Sequence, residues 1–140
     1  MSKNTIKIAL ASSCYYQLEN RPGNAIARIQ TGDRVVYKTI NLEGTTDTRL
    51  RIQILIDIIQ DLPEPTHIIL YSATIGLQKI VDKQGQYKPC SPTKINADLL
   101  NKLQEVLIIG GHDIVETKTN KYRQFLKREA RAINNNRILA

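Results

Sequence analysis

Residues 67–72, HIILYS, are apolar almost throughout. A short strand of that kind is expected where helices cover both faces of a sheet, since an open face would ask for alternating polar residues. The segment before it supplies one such helix. Leu50, Ile54, Leu55, Ile58, Ile59 and Leu62 fall on one helical face, Thr46 or Asp47 can cap its start, and Pro63 and Pro65 stop it. Upstream the period is different. Thr5–Leu10 alternates, Asn20-Arg21-Pro22-Gly23 is turn chemistry, Asn24–Gln30 reads as a second strand, and Thr31-Gly32-Asp33 turns into a third, Arg34–Asn41. Three closely spaced strands joined by turns argue an antiparallel meander.

Downstream, Thr74–Val81 reads as a short helix and residues 82–93 as a loop. Asn96 caps a helix with Leu99, Leu100, Leu103 and Leu107 inward. Gly110-Gly111 turns the chain into a fifth strand, Asp113–Thr117. A last helix near Lys121–Asn134 is expected to bury Tyr122, Phe125, Leu126, Ala130 and Ile133, with no clear pattern in the tail beyond it. The order βββ-α-β-α-α-β-α specifies an α/β fold with a mixed five-stranded sheet and helices on both faces. At 140 residues, with no repeat or linker, positions 1–140 read as one domain with an aliphatic core, for there is one Phe and no Trp.

Charge narrows the function classes. The formal net charge is +7, and residues 118–137 carry Lys118, Lys121, Arg123, Lys127, Arg128, Arg131 and Arg137 against Glu129 alone. A basic helix suits a polyanion, because neutralising phosphates releases counterions; the same pattern also describes the wet face of an ordinary amphipathic helix. Cys14 and Cys90 match no metal-ligand spacing, no signal-peptide pattern opens the chain, and no apolar run is long enough for a membrane. Free thiols and a cytoplasmic address are the expectation. His67 and His112 lack ligand or triad company and read as structural, and Ser12, Ser13 and Cys14 have no His signature to make a nucleophile, so small residues at a strand end read as packing.

Several motifs, in this order and with these elements between them, resemble type 1 ribonuclease H and its wider superfamily. IALASSC (8–14) is similar to the family's strand ending in Asp-Gly-Ser-Cys, and RPGNAIARI (21–29) to its Pro-Gly turn into strand two. EGTTDTRLRIQILI (43–56) resembles its Thr-Thr-Asn-Asn-Arg helix start, HIILYSAT (67–74) its strand ending in Thr-Asp-Ser, and KINADLLNKL (94–103) its second helix entry. KREARA (127–132) falls where the family's last helix reads Asp-x-Leu-Ala.

The resemblance implies two-metal hydrolysis of the RNA strand in an RNA–DNA hybrid, with four carboxylates holding the ions. Those four positions here read Ala11, Arg51, Ala73 and Lys127, and the histidine loop after strand five has no counterpart in ETKTNKY (116–122). Asp-to-Ala replacement by design would fit Ala11 and Ala73 but not Arg51 and Lys127, which favours divergence. The sequence reading therefore expects an inactive nuclease: a pseudoenzyme with no catalytic residues, no metal and no cofactor.

The resemblance also implies that Thr46 and Asn96 match a pocket for the DNA-strand phosphate, although Thr and Asn are favoured helix caps in any case. Arg49, Arg51, Arg123, Lys127 and Arg131 complete the candidate nucleic-acid-binding set. Scattered tyrosines give base stacking little support. Two functions remain open: a noncatalytic module binding a hybrid, double-stranded RNA or DNA, and a scaffold domain acting as a homodimer or as a subunit of a nucleic-acid-processing assembly.

Overall fold

The computed structural model describes residues 3–14, 22–117 and 122–139. Tyr15, Tyr16, the turn residues Asn20 and Arg21, Lys118 and Lys121 lie outside the described residues, as does the side chain of Arg137. Five strands form one sheet: β1 (Asn4–Cys14), β2 (Gly23–Thr31), β3 (Arg34–Leu42), β4 (Thr66–Tyr71) and β5 (Asp113–Thr117), in the order β3-β2-β1-β4-β5. The first three pair antiparallel, while β4 joins β1 in parallel and β5 joins β4 in parallel. Three α-helices accompany them: α1 (Asp47–Gln60), α2 (Ala97–Gly110) and α3 (Arg123–Leu139).

Alternation along β1 assigns the layers. Ile6, Ile8 and Leu10 enter a large core with α1 and α2, whereas Ala9 and Ala11 meet Leu126 and Ala130 of α3 on the other face. α1 lies between the β1/β2 part of the sheet and α2. It is therefore buried on more than one side, and Ile52 and Ile56, outside the stripe read from sequence, are buried as fully as Leu50 and Ile54.

Three local expectations need correction. Thr74–Val81 is not an α-helix: only a 3-10 turn forms, at Leu77–Lys79, after Gly76 takes a positive φ of 91° and interrupts any helical run. The order is thus βββ-α-β-α-β-α with a turn before α2. Phe125 is half-exposed at 49 %, because the contact of α3 with Ala9, Ala11 and Ile26 of the sheet closes on the narrow Leu126–Ala130 stripe. Leu99 is only partly buried, and Val106 takes a core position instead.

Register places an opening at one end of the sheet. β4 pairs with β1 only as far as Ala9↔Tyr71, while β1 continues to Cys14 paired with β2 alone. β1 thus runs on past the carboxyl end of β4 without pairing with it. Such ends of parallel strands are where open α/β sheets place ligands.

Candidate nucleic-acid interface

The opening is a small cleft of about 30 Å³ lined by Leu10, Ala11, Ser12, Arg51, Ala73, Arg123 and Lys127. Positions 11, 51, 73 and 127, matched to the family's carboxylates on sequence alone, thus come together from β1, α1, the turn after β4, and α3. The convergence follows from the register. Past Ala9, beyond the β4 pairing, β1 is approached by α1 from one face and by α3 from the other.

Arg51 is held in place. Its guanidinium donates to the Ser12 hydroxyl at 3.0 Å, and that hydroxyl donates to the Asp47 carboxylate at 2.8 Å. Ser12 is 2 % exposed, so this relay is shielded from competing water. The sequence reading took Ser12 for packing alone. The signal that finds it is parity: Ser12 follows Leu10 on the face of β1 that meets α1, and Asp47 and Arg51 are one helical turn apart.

A hard divalent ion needs several anionic oxygens to replace its water. The cleft lining offers none, and among the described residues no group of three or more His, Cys, Asp or Glu could hold a metal. The residues present do not fit such an ion. They fit an anion.

A second polar cluster lies at the starts of α1 and α2. Thr46 caps α1 through its hydroxyl, which accepts the Arg49 N–H at 3.2 Å. Asn96 precedes α2 in the left-handed region, φ 62°, and its side chain makes no cap bond; the amide oxygen instead accepts from the Arg49 guanidinium at 3.2 Å. Asn96 therefore starts the helix by backbone conformation rather than by capping. Arg49 also grips Asp98 through two bonds of 2.9 and 2.8 Å. Those bonds hold the Asp98 carboxyl down at about 2 and raise Arg49. Thr46, Arg49 and Asn96 are thus in one place, joined by an acid that the sequence reading left out.

Arg123 and Arg131 are exposed along α3, and Lys127 is half-buried. Arg28 of β2 stacks over the Tyr122 ring at 4.0 Å, next to the start of α3. His112 is buried, and its Nδ1 accepts the Thr66 N–H at 3.0 Å, a structural position away from the cleft. His67 pairs with Asp113 at 3.2 Å, and Cys14 and Cys90 are not joined in a disulfide.

No protein-family model and no curated protein sequence matches the chain. Solved structures do. The chain superposes on LC11-RNase H1 in complex with an RNA/DNA hybrid with a TM-score of 0.61, at 15% identity, covering 91% of this chain and 99% of that one. The fold is ribonuclease H-like. LC9-RNase H1, a type 1 RNase H with the type 2 active-site motif, gives a TM-score of 0.62 at 10% identity, covering 95% of this chain and 71% of that one. The N-terminal RNase H domain of a Mycobacterium tuberculosis protein, as a fusion with maltose-binding protein, gives 0.59 at 14% identity, covering 95% and 99%.

These superpositions correct one expectation. The sequence reading took the chain for no enzyme, yet the three structures it superposes on above are RNase H structures, and the shared fold gives that expectation no support. Missing carboxylates at four positions are not positive evidence of inactivity.

Proposed function

We propose that this ribonuclease H-like chain binds a nucleic-acid duplex, an RNA–DNA hybrid or another double helix, by its phosphate backbone. The observation that carries the reading is the convergence of Arg51, Arg123 and Lys127 on the cleft at the carboxyl ends of β1 and β4. Arg131 extends the charge along α3, and Arg49, with Thr46 and Asn96, supplies a second grip at the helix starts. A hybrid bound to LC11-RNase H1, whose chain follows the same path, supports the choice of partner. Cations that touch phosphates position a duplex without reading its sequence, so affinity is modest, salt-dependent and nearly independent of sequence.

The test is a titration of a labelled RNA–DNA hybrid at two salt concentrations. Arg51→Glu combined with Lys127→Glu weakens binding and flattens the salt slope by about 2, roughly one per lost phosphate contact. Lys83→Glu with Lys102→Glu changes net charge equally at surfaces away from the cleft and has a smaller effect. A scaffold role gives the opposite outcome: no binding at physiological salt, and a dimer or partner complex insensitive to either pair.

A further inference from the structure

We propose that two copies of this chain join edge to edge through β3, in an antiparallel pair centred on Tyr37. Duplex binding and this pairing fail separately, since the first depends on Arg51 and Lys127 and the second on Val36 and Lys38.

The backbone comes first. Among the described residues β3 pairs with β2 alone, over nine consecutive positions without a bulge. Thr31 pairs with Arg34 across Gly32 and Asp33, and Gly32 takes a φ of 60°. That is a two-residue hairpin, whose closing pair is hydrogen-bonded. Bonded pairs then recur at every second residue, so Arg34, Val36, Lys38, Ile40 and Leu42 aim their backbone groups at β2. The Ile40 carbonyl agrees, accepting from the Asn24 side chain at 2.9 Å. The N–H and C=O groups of Val35, Tyr37, Thr39 and Asn41 face outward in a row.

Side chains leave that row open. Edge strands are ordinarily blunted by proline, bulges, charges or a covering segment. β3 holds no proline and no glycine, and Val35, Val36, Tyr37 and Leu42 are exposed along it. Lys38 is the charge at its middle, and that lysine makes the partner's register specific.

A two-fold axis perpendicular to the sheet continues each face into the same face of the copy, so outward residues meet outward residues. Centring the axis on Lys38 sets the two lysines directly opposite each other, and centring it on Val36 sets Arg34 against Lys38. Like charges so placed destabilise a sheet. Centring on Thr39 carries the copy's hairpin tip, Gly32 and Asp33, to the level of Thr45 and Thr46, where the chain has left the sheet for α1. Centring on Tyr37 avoids all three. Arg34 then meets Ile40, Val35 meets Thr39, Val36 meets Lys38, and the two tyrosines pair at the axis, an aromatic cross-strand contact. Both β3 edges are consumed, so association through them stops at two copies.

The experiment is sedimentation equilibrium of the full chain without nucleic acid, over a wide range of concentration. Wild type passes from monomer to dimer. Each copy carries +7, so added salt screens their repulsion and tightens the dimer, opposite to its effect on duplex binding. Val36→Lys sets a second cation against Lys38 at two symmetry-related places and weakens the dimer about tenfold. Adding Lys38→Glu restores it, whereas adding Lys102→Glu, an equal change of charge on α2, does not. Val36 is half-exposed in the single chain, so these variants still melt cooperatively. A chain that stays monomeric throughout overturns the inference and leaves the edge to a strand of another protein. A dimer that Val36→Lys leaves intact overturns it too, as does one that Lys38→Glu fails to restore or that Lys102→Glu restores equally.

Discussion

Arg51 and Ser12 lie 3.0 Å apart, guanidinium to hydroxyl, and this contact fixes the cation that reaches the cleft from α1. Ser12→Ala deletes it together with the 2.8 Å bond to Asp47. The variant is expected to lose about 1 kcal/mol of stability, the usual net worth of such a bond. Hybrid affinity falls several-fold while the salt slope stays unchanged, because the number of cations meeting phosphate is the same. Arg51→Gln lowers both. A slope that drops in Ser12→Ala would show that Arg51 no longer meets phosphate once the serine is gone.

Asp98 holds Arg49, and under the proposed duplex binding it would compete with phosphate for that guanidinium. The pair is largely exposed, so it contributes under about 1 kcal/mol to stability. Removing the acid with Asp98→Asn frees the guanidinium and strengthens hybrid binding at low salt. The pH dependence has a definite sign. With its folded value lowered to about 2 by the Arg49 bonds, Asp98 stabilises the fold above its unfolded value near ~3.9, and that contribution is lost as pH falls toward 2. The urea midpoints of wild type and Asp98→Asn should differ by a constant amount above about pH 5 and converge below it.

A methyl group added at Gly110 would lie 2.1 Å from His112 Nε2. The ring cannot swing aside freely, since Nδ1 accepts the Thr66 N–H. Gly110→Ala is therefore expected to cost about 1–3 kcal/mol through overpacking. That outweighs the ~1 kcal/mol that Ala ordinarily gains over Gly inside a helix. A higher urea midpoint for the variant would contradict this packing.

Burial lowers His112, with Lys3 adding to the effect and Asp113 opposing it. In the unfolded chain the imidazole takes up a proton below its ordinary value near ~6.5, while the folded one resists until a lower pH. The unfolded state then binds more protons, so stability declines as pH falls below that value. Unfolding at pH 7.5 and 5.5 should show this decline in wild type. His112→Gln, which keeps an acceptor for the Thr66 N–H and cannot titrate, should show a smaller one.

The sequence by itself determined the order of the strands and of the three α-helices, because apolar periodicity is local, though it added a helix at Thr74–Val81 that does not form. The alternating runs of β1 to β3, the stripe of α1 and the limits of β5, Asp113–Thr117, are legible from neighbours in the chain. It also pointed to Arg51 and Lys127 through motif order. What it could not supply was depth or pairing. Ile52 and Ile56 are buried because α1 packs between the sheet and α2, and Phe125 is half-exposed because α3 meets the sheet along the narrow Leu126–Ala130 stripe. The contacts that hold the candidate site were decided by the tertiary structure. Ser12 bonds Asp47 across 35 residues and Arg51 across 39, and Arg49 reaches Asp98 across 49. Contacts at such separation depend on where β4 stops pairing with β1 and on how α1 and α2 meet, and no local pattern encodes either.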